Sequence, residues 1–284
     1  MIEKISARFS SFNLMATYDS GQPLNFIGKY EKGILTYPCC NSIVKVFLHK
    51  GFIEAEAEGM KLNAALEVKR RFRLYDNLNK VYENISDPFM DKAIEYSRGM
   101  RLTLNDPWES TAIFIISQFN SIHNIKKSVE MIMEKFGRPI YLYGKKIGNA
   151  FPESRVIAEA SAEELKKASI GFRAKYLHEA ANYCTYSFDL YSLQGKDYYS
   201  IKEALMDIDG IGDKVADCIA LMGYGKLEAF PIDRWIKRIL EKAYMHGNPS
   251  SISELHRFAE RKWGSLQGYA QQYLFRYGIK AFGD

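Results

Sequence analysis

Residues 207–233 read DIDGIGDKVADCIALMGYGKLEAFPID. A helix-like run leads into this stretch, and an apolar helical pattern begins at Lys214. Gly210 and Gly212 stand between the two, so residues 201–223 read as two helices joined by a tight hairpin. Glycine takes positive φ readily and lets the backbone come close to something bulky. The second helix opens with free N–H groups, which hold phosphate well. The hairpin suits a simple turn between helices, or a grip on a nucleic-acid backbone that reads no bases.

Lys214 sits in the first turn of that second helix, where the helix dipole disfavours a cation by about 0.3–1 kcal/mol. Positive potential and desolvation together predict a depressed pKa and a free amine able to act as a nucleophile. The alternative is a surface lysine that meets phosphate. Asp233 ends Pro-Ile-Asp just before RWIKRILEKAY, where it reads as an N-cap. A carboxylate held by helix N–H groups stays ionised. The short return GYGKLEAF would carry it to the cleft of Lys214. An amine and a carboxylate beside a DNA grip point to attack on the anomeric carbon of a sugar. The base would leave, an imine would join lysine to the opened sugar, and the 3′ phosphate could then be eliminated.

From residue 87 onward the pattern is helical almost throughout. DPFMDKAIEYSRGMRL and DPWESTAIFIISQFNSI each start with Asp-Pro, and Asp106 reads as N-cap with Pro107 in the first turn. The second of these is nearly all apolar, which predicts a central, buried helix. HNIKKSVEMIMEKFG is amphipathic and ends on Gly137. Residues 151–184 read as three short helices, with a capping box from Ser161 to Glu164. Residues 1–86 differ. IVKVFL and FIEAEAE alternate as strands with one wet face, and YEKG, PCCNS and HKG read as turns. KLNAALEVKRRFRLYDNLNKVYENI then reads as helical. The expected class is α+β: an antiparallel sheet domain with flanking helices over residues 1–86, and a helical region over residues 87–284.

The chain has 284 residues, 47% hydrophobic, and a net charge of +5, which permits a polyanionic partner without demanding one. Its four cysteines form no Cys-x-x-Cys pair and no zinc or iron–sulfur spacing, which points to reduced thiols in an intracellular setting. The N-terminus is too polar for a secretory signal and no apolar run nears 18 residues, so no membrane is expected.

GIGDKVADCIALM…PID resembles the HhH-GPD superfamily of DNA glycosylases, and most of all its 8-oxoguanine-excising branch. SGQPLNF, DPWESTAIFIISQFNSI, GFRAKYL and WGSLQGYAQQYLF are similar to further motifs of that branch, so the resemblance covers nearly the whole chain. It implies a TATA-binding-protein-like sheet, two helical subdomains, and a cleft between them floored by the hairpin. It implies a bifunctional glycosylase and AP lyase acting on double-stranded DNA that carries 8-oxoguanine. Lys214 would be the Schiff-base nucleophile and Asp233 the catalytic carboxylate. Gly21 would accept the N7–H that the lesion has and guanine lacks. Gln271 would bond the pyrimidine edge, while Phe275 and Cys218 would flank the ring.

Gly210 and Gly212 would meet the DNA backbone. Phe119 or Asn120 would fill the gap left by the flipped base, Phe172 would be the wedge, and Arg173 the retained arginine. Asn124 stands where an arginine is usual, which weakens any strict preference for opposite cytosine. Trp235 replaces a histidine and would meet a phosphate through its N–H. These departures suggest the compact microbial branch, hence a monomer in the cytoplasm or nucleoid of a prokaryote. No cofactor is expected, apart from a monovalent or divalent cation on the main-chain carbonyls of Met206, Ile208 and Ile211. Two other readings share these residues: the same chemistry on another oxidised base, and a non-catalytic helix–hairpin–helix DNA-binding protein.

Overall fold

The computed structural model describes residues 2–8, 12–59 and 63–282. Five antiparallel strands form the N-terminal sheet: β1 (Ile2–Arg8), β2 (Lys29–Glu31), β3 (Ile34–Cys39), β4 (Ser42–His49) and β5 (Phe52–Gly59), in the order β1-β5-β4-β3-β2. The expected turns sit where the sequence puts them. Lys32-Gly33 and Lys50-Gly51 each carry positive φ at both positions, the geometry of two-residue hairpins that match strand twist. Register then follows from the pleat: Val44 pairs with Ala57 and Val46 with Ala55. Leu35, Tyr37, Val44, Val46, Ile53 and Ala55 are all buried on one face. Val68 and Phe72, from and just after helix Ala64–Arg71, belong to the same core.

The stretch read as helical after the sheet is two helices, Ala64–Arg71 and Leu78–Ile85. The break has a local cause. Arg73 has φ 47, and Asn77 caps the second helix through the N–H groups of Asn79 and Lys80. A second departure is a small sheet of β6 (Pro139–Leu142) and β7 (Lys145–Asn149), in a region expected to be helical. Tyr143-Gly144 makes its turn with positive φ at both residues. Ile140 and Ala150 cluster with Ile43 of the large sheet.

Helix Pro107–Ser117 runs through the centre, with ten of its eleven residues buried. Asp106 caps it by accepting from Trp108 and Glu109 N–H at 2.9 and 3.1 Å. The hairpin follows further on: helix Tyr198–Met206, a turn, and helix Asp213–Gly223. Ile208 and Ile211 plug the turn into the core. Helix Arg234–Tyr244, helix Ile252–Trp263 and the C-terminal helix Gln267–Phe282 complete the chain. Among the described residues no helix is long and apolar enough to cross a membrane.

Candidate active site at the hairpin

The turn is shaped by one glycine. Gly210 has φ 85, and a Cβ there would lie 2.7 Å from the Tyr176 ring. Gly212 departs from expectation: it is extended at φ −96, ψ −179, and acts as N-cap of the lysine-bearing helix. A Cβ built there would meet nothing within 4 Å, so neither torsion nor a protein neighbour demands glycine at this position. The helix N–H groups therefore open onto a clear face suited to an anion. The side-chain amide of Gln118 donates to the Gly210 carbonyl at 2.9 Å and ties the turn to the end of the central helix.

In the first turn of that helix, Lys214 lines a cavity of about 80 Å³. Asp233, Cys218, Gly21, Gln271 and Phe275 line the same cavity, joined by Ser20, Phe114, Met222, Pro231 and Gln272. The Lys214 ammonium lies 5.8 Å from the centre of the Phe114 ring. Burial pulls the Lys214 pKa down, but Cys218 and the Asp233 carboxylate push it up further, and the net direction is upward. The expected depressed pKa is therefore wrong for the free protein. Burial also pushes the Cys218 thiol up to about 11, so near neutral pH it is an uncharged neighbour.

Asp233 is the N-cap foreseen, its Oδ1 accepting the Ile236 N–H at 2.8 Å. Gln271 is buried and donates to the Pro231 carbonyl at 3.3 Å, while its Oε1 is buried with no hydrogen-bond partner. Such an acceptor is expensive to leave unmade. Gly21 has φ 73, and a Cβ there would sit 3.4 Å from Phe275 Cε1. Its loop is held on both sides. The Gln272 amide donates to the Ser20 carbonyl at 2.6 Å, and the Gln22 amide donates to the Arg101 carbonyl at 2.9 Å. The roles of Phe114, Gln22 and Gln272 were not foreseen, although each lies inside a stretch whose resemblance to the family was noted.

The residues expected at the flipped-base gap lie outside this cavity, around the end of the central helix. Phe119 is 86% exposed and held at φ 48, whereas Asn120 turns back to the Ile116 carbonyl at 3.3 Å. Phe172 is 56% exposed. Arg173 does not reach outward. Its guanidinium donates to the carbonyls of Gln118, Ile170 and Phe119, and lies 4.6 Å from the centre of the Phe172 ring. It braces the two aromatics instead of presenting a free fork. Trp235 is partly exposed, with the Arg238 guanidinium 5.8 Å from its ring centre. At the turn, the Ile208 carbonyl accepts the Ile211 N–H at 3.0 Å, with Met206 and Ile211 beside it.

An antiparallel sheet, a bundle of helices and a helix–hairpin–helix with a lysine and an aspartate over one cavity define a base-excision type of DNA protein. The chain belongs to the HhH-GPD superfamily of base excision DNA repair proteins, whose family profile matches residues 112–271. It is 32% identical over 230 residues to the "Probable N-glycosylase/DNA lyase" of Methanothermobacter thermautotrophicus, covering 74% of this chain and 73% of that one. MBOgg1, solved with a low-affinity DNA ligand, superposes with a TM-score of 0.89 at 34% identity, over 99% of this chain and 95% of that chain. The Clostridium acetobutylicum 8-oxoguanine glycosylase/lyase, bound to double-stranded DNA with cytosine opposite 8-oxoG, gives 0.87 at 29% identity over 99% and 98%.

Proposed function

We propose that this chain excises 8-oxoguanine from double-stranded DNA and then cleaves the resulting abasic site, using Lys214 as nucleophile. The observation that carries the reading is the meeting of Lys214, Asp233 and the unpartnered Gln271 Oε1 in one small cavity beside a phosphate-ready helix start. The free cavity of about 80 Å³ is far below the roughly 300–1,000 Å³ of sites that enclose a ligand, so it must widen when a base enters.

The chemistry then runs in order. Hairpin N–H groups take a phosphate near Gly212, and the lesion swings out of the stack. Phe172 and Phe119 occupy the vacated space. The base slides between Phe275 and Cys218, with Gln271 on its pyrimidine edge. The Gly21 carbonyl accepts the N7–H of 8-oxoguanine; guanine would set an acceptor against an acceptor. Lys214 loses its proton and its nitrogen bonds to C1′. The C1′–N9 bond breaks, and the base leaves with the electron pair and takes up a proton. The Asp233 carboxylate steadies the positive charge that develops on the sugar ring. Ring opening at O4′ gives the imine. Loss of a C2′ proton then expels the 3′ phosphate. No organic cofactor enters these steps. A cation on the carbonyls of Met206, Ile208 and Ile211 would strengthen the positive end of the hairpin. The chain would work as a monomer on the DNA of a prokaryotic cytoplasm.

Borohydride reduction tests the covalent step. Wild type should form a stable protein–DNA adduct on an 8-oxoguanine duplex, and Lys214→Gln should form none. Equal trapping by the two would assign the nucleophile elsewhere. Faster excision from an oxidised-pyrimidine duplex than from the 8-oxoguanine duplex would overturn the substrate.

A further inference from the structure

A second polar cluster lies on the helix that carries Lys214, made of residues that do not line the active cavity. Asp213 and Asp217 stand one turn apart on helix Asp213–Gly223, and His256 reaches them from helix Ile252–Trp263. Lys202 and Tyr198, on the first hairpin helix, attend to one side only. The Lys202 ammonium meets Oδ1 of Asp213 at 2.7 Å and Oδ1 of Asp217 at 2.9 Å. The Tyr198 hydroxyl donates to Oδ1 of Asp217 at 2.6 Å. Both Oδ2 atoms turn the other way, toward His256 Nε2, at 3.4 Å for Asp213 and 3.9 Å for Asp217.

Two of these atoms are out of place in a finished core. Asp217 is 0% exposed, and its Oδ2 has no hydrogen-bond partner. His256 Nε2 is also buried without one. An unpartnered buried carboxylate oxygen is costly, and here it faces an unpartnered imidazole nitrogen. One ligand atom from each of the three residues lies within 4.8 Å of the others. For metal–ligand bonds of about 2.0–2.1 Å, a tetrahedral edge is roughly 3.3 Å; the Asp213 contact to Nε2 already has that length at 3.4 Å, and the Asp217 contact at 3.9 Å would have to close by about 0.6 Å. Imidazole with two carboxylates suits a first-row transition ion better than calcium or magnesium.

We propose that Asp213, Asp217 and His256 form a site for a divalent transition cation, Zn²⁺ above all, with the fourth position open to water beside the exposed Asp213. The site is distinct from the hairpin carbonyls and takes no part in bond breaking. Its charge balance explains its place. Two carboxylates and one ammonium leave a net negative charge at the end of the helix that should receive a phosphate. A bound dication reverses that sign and ties helix Ile252–Trp263 to the helix that bears Lys214.

The test reads binding directly. Full-length protein is stripped with a chelator, then titrated with Co²⁺ by visible absorption and with Zn²⁺ by calorimetry. One equivalent should bind and give the intense bands of four-coordinate cobalt. His256→Ala, a change at a part-exposed position, should weaken binding by more than the 10–100-fold lost with an outer-sphere partner. Asp217→Asn should do the same. His256→Gln serves as a second variant should the alanine form fail to fold. Unchanged one-to-one binding in the histidine variants, or no saturable binding by wild type at millimolar metal, would overturn the proposal. So would cobalt bands of six-coordinate type.

Discussion

Asp233 has two duties that substitution can separate. Asparagine caps a helix about as well as aspartate, so Asp233→Asn should leave the melting temperature nearly unchanged. The carboxylate charge is lost all the same, and base release should fall by about a hundredfold or more in single-turnover assays. Base release close to that of wild type would show that the residue is only a cap. The two hairpin glycines make a second contrast. Gly210→Ala forces a Cβ into Tyr176 at positive φ, which should cost about 1–2 kcal/mol from the torsion alone and lower both stability and DNA affinity. Gly212→Ala adds a methyl to open space at an ordinary φ, so DNA affinity should fall while the melting temperature holds. Lys214, Asp233 and Gly210 were legible in the sequence because caps and turns are local. The protonation of Lys214 was not. It depends on Asp233 and Cys218 as placed by the fold, which no dipole rule for a single helix contains.

At the level of elements, the joint between sheet and helical body rests on a buried ion cluster. The Arg71 guanidinium donates to Glu67 at 2.9 Å, Asn105 at 2.8 Å and Glu109 at 3.1 Å. Burial pushes the Glu109 pKa up to about 7 although Arg71 opposes it. Arg71→Ala leaves the buried Glu109 without its cation, while Glu67 keeps Arg70 at 3.0 Å, and should cost about 3–5 kcal/mol in chemical denaturation. Asp87 gives the pH dependence. Burial raises its pKa, but the N–H groups of Met90 and Phe89 together with Lys262 lower it more, so its folded pKa lies below the unfolded value near 3.9. Its contribution is complete above that value and fades as pH falls through the folded pKa. Asp87→Asn should shrink the drop in melting temperature between pH 6 and pH 3. The Asp-Pro starts, the capping box at Ser161 and the two-residue turns were readable; the second capping box, Ser251 with Glu254, was not read. Strands β6 and β7 were missed, although PIYL and KKIGN flank a Tyr-Gly turn. Their apolar content is thin, and their partner, Ile43, is distant in sequence.

Across the whole molecule, sites come from segments that the sequence keeps far apart. The Asp213–Asp217–His256 cluster escaped reading because no spacing rule joins a helix start to a histidine so far downstream. DNA affinity should depend on the whole surface too. With a net charge of +5, the dissociation constant should rise linearly with salt on a log–log plot, its slope counting the phosphates engaged. Phe172→Ala should weaken lesion binding without changing that slope, since a ring displaces no counterions. The bond from Gln272 to Ser20 spans the chain, and Gln271 and Phe275 come from that same last helix. A ribosome that has already released the hairpin and its lysine has made nothing yet able to cut. The reactive amine stays without a substrate chamber until the final helix emerges and threads back to the first loop. Premature termination before residue 267 should thus yield fragments that carry the nucleophile yet leave chromosomes untouched.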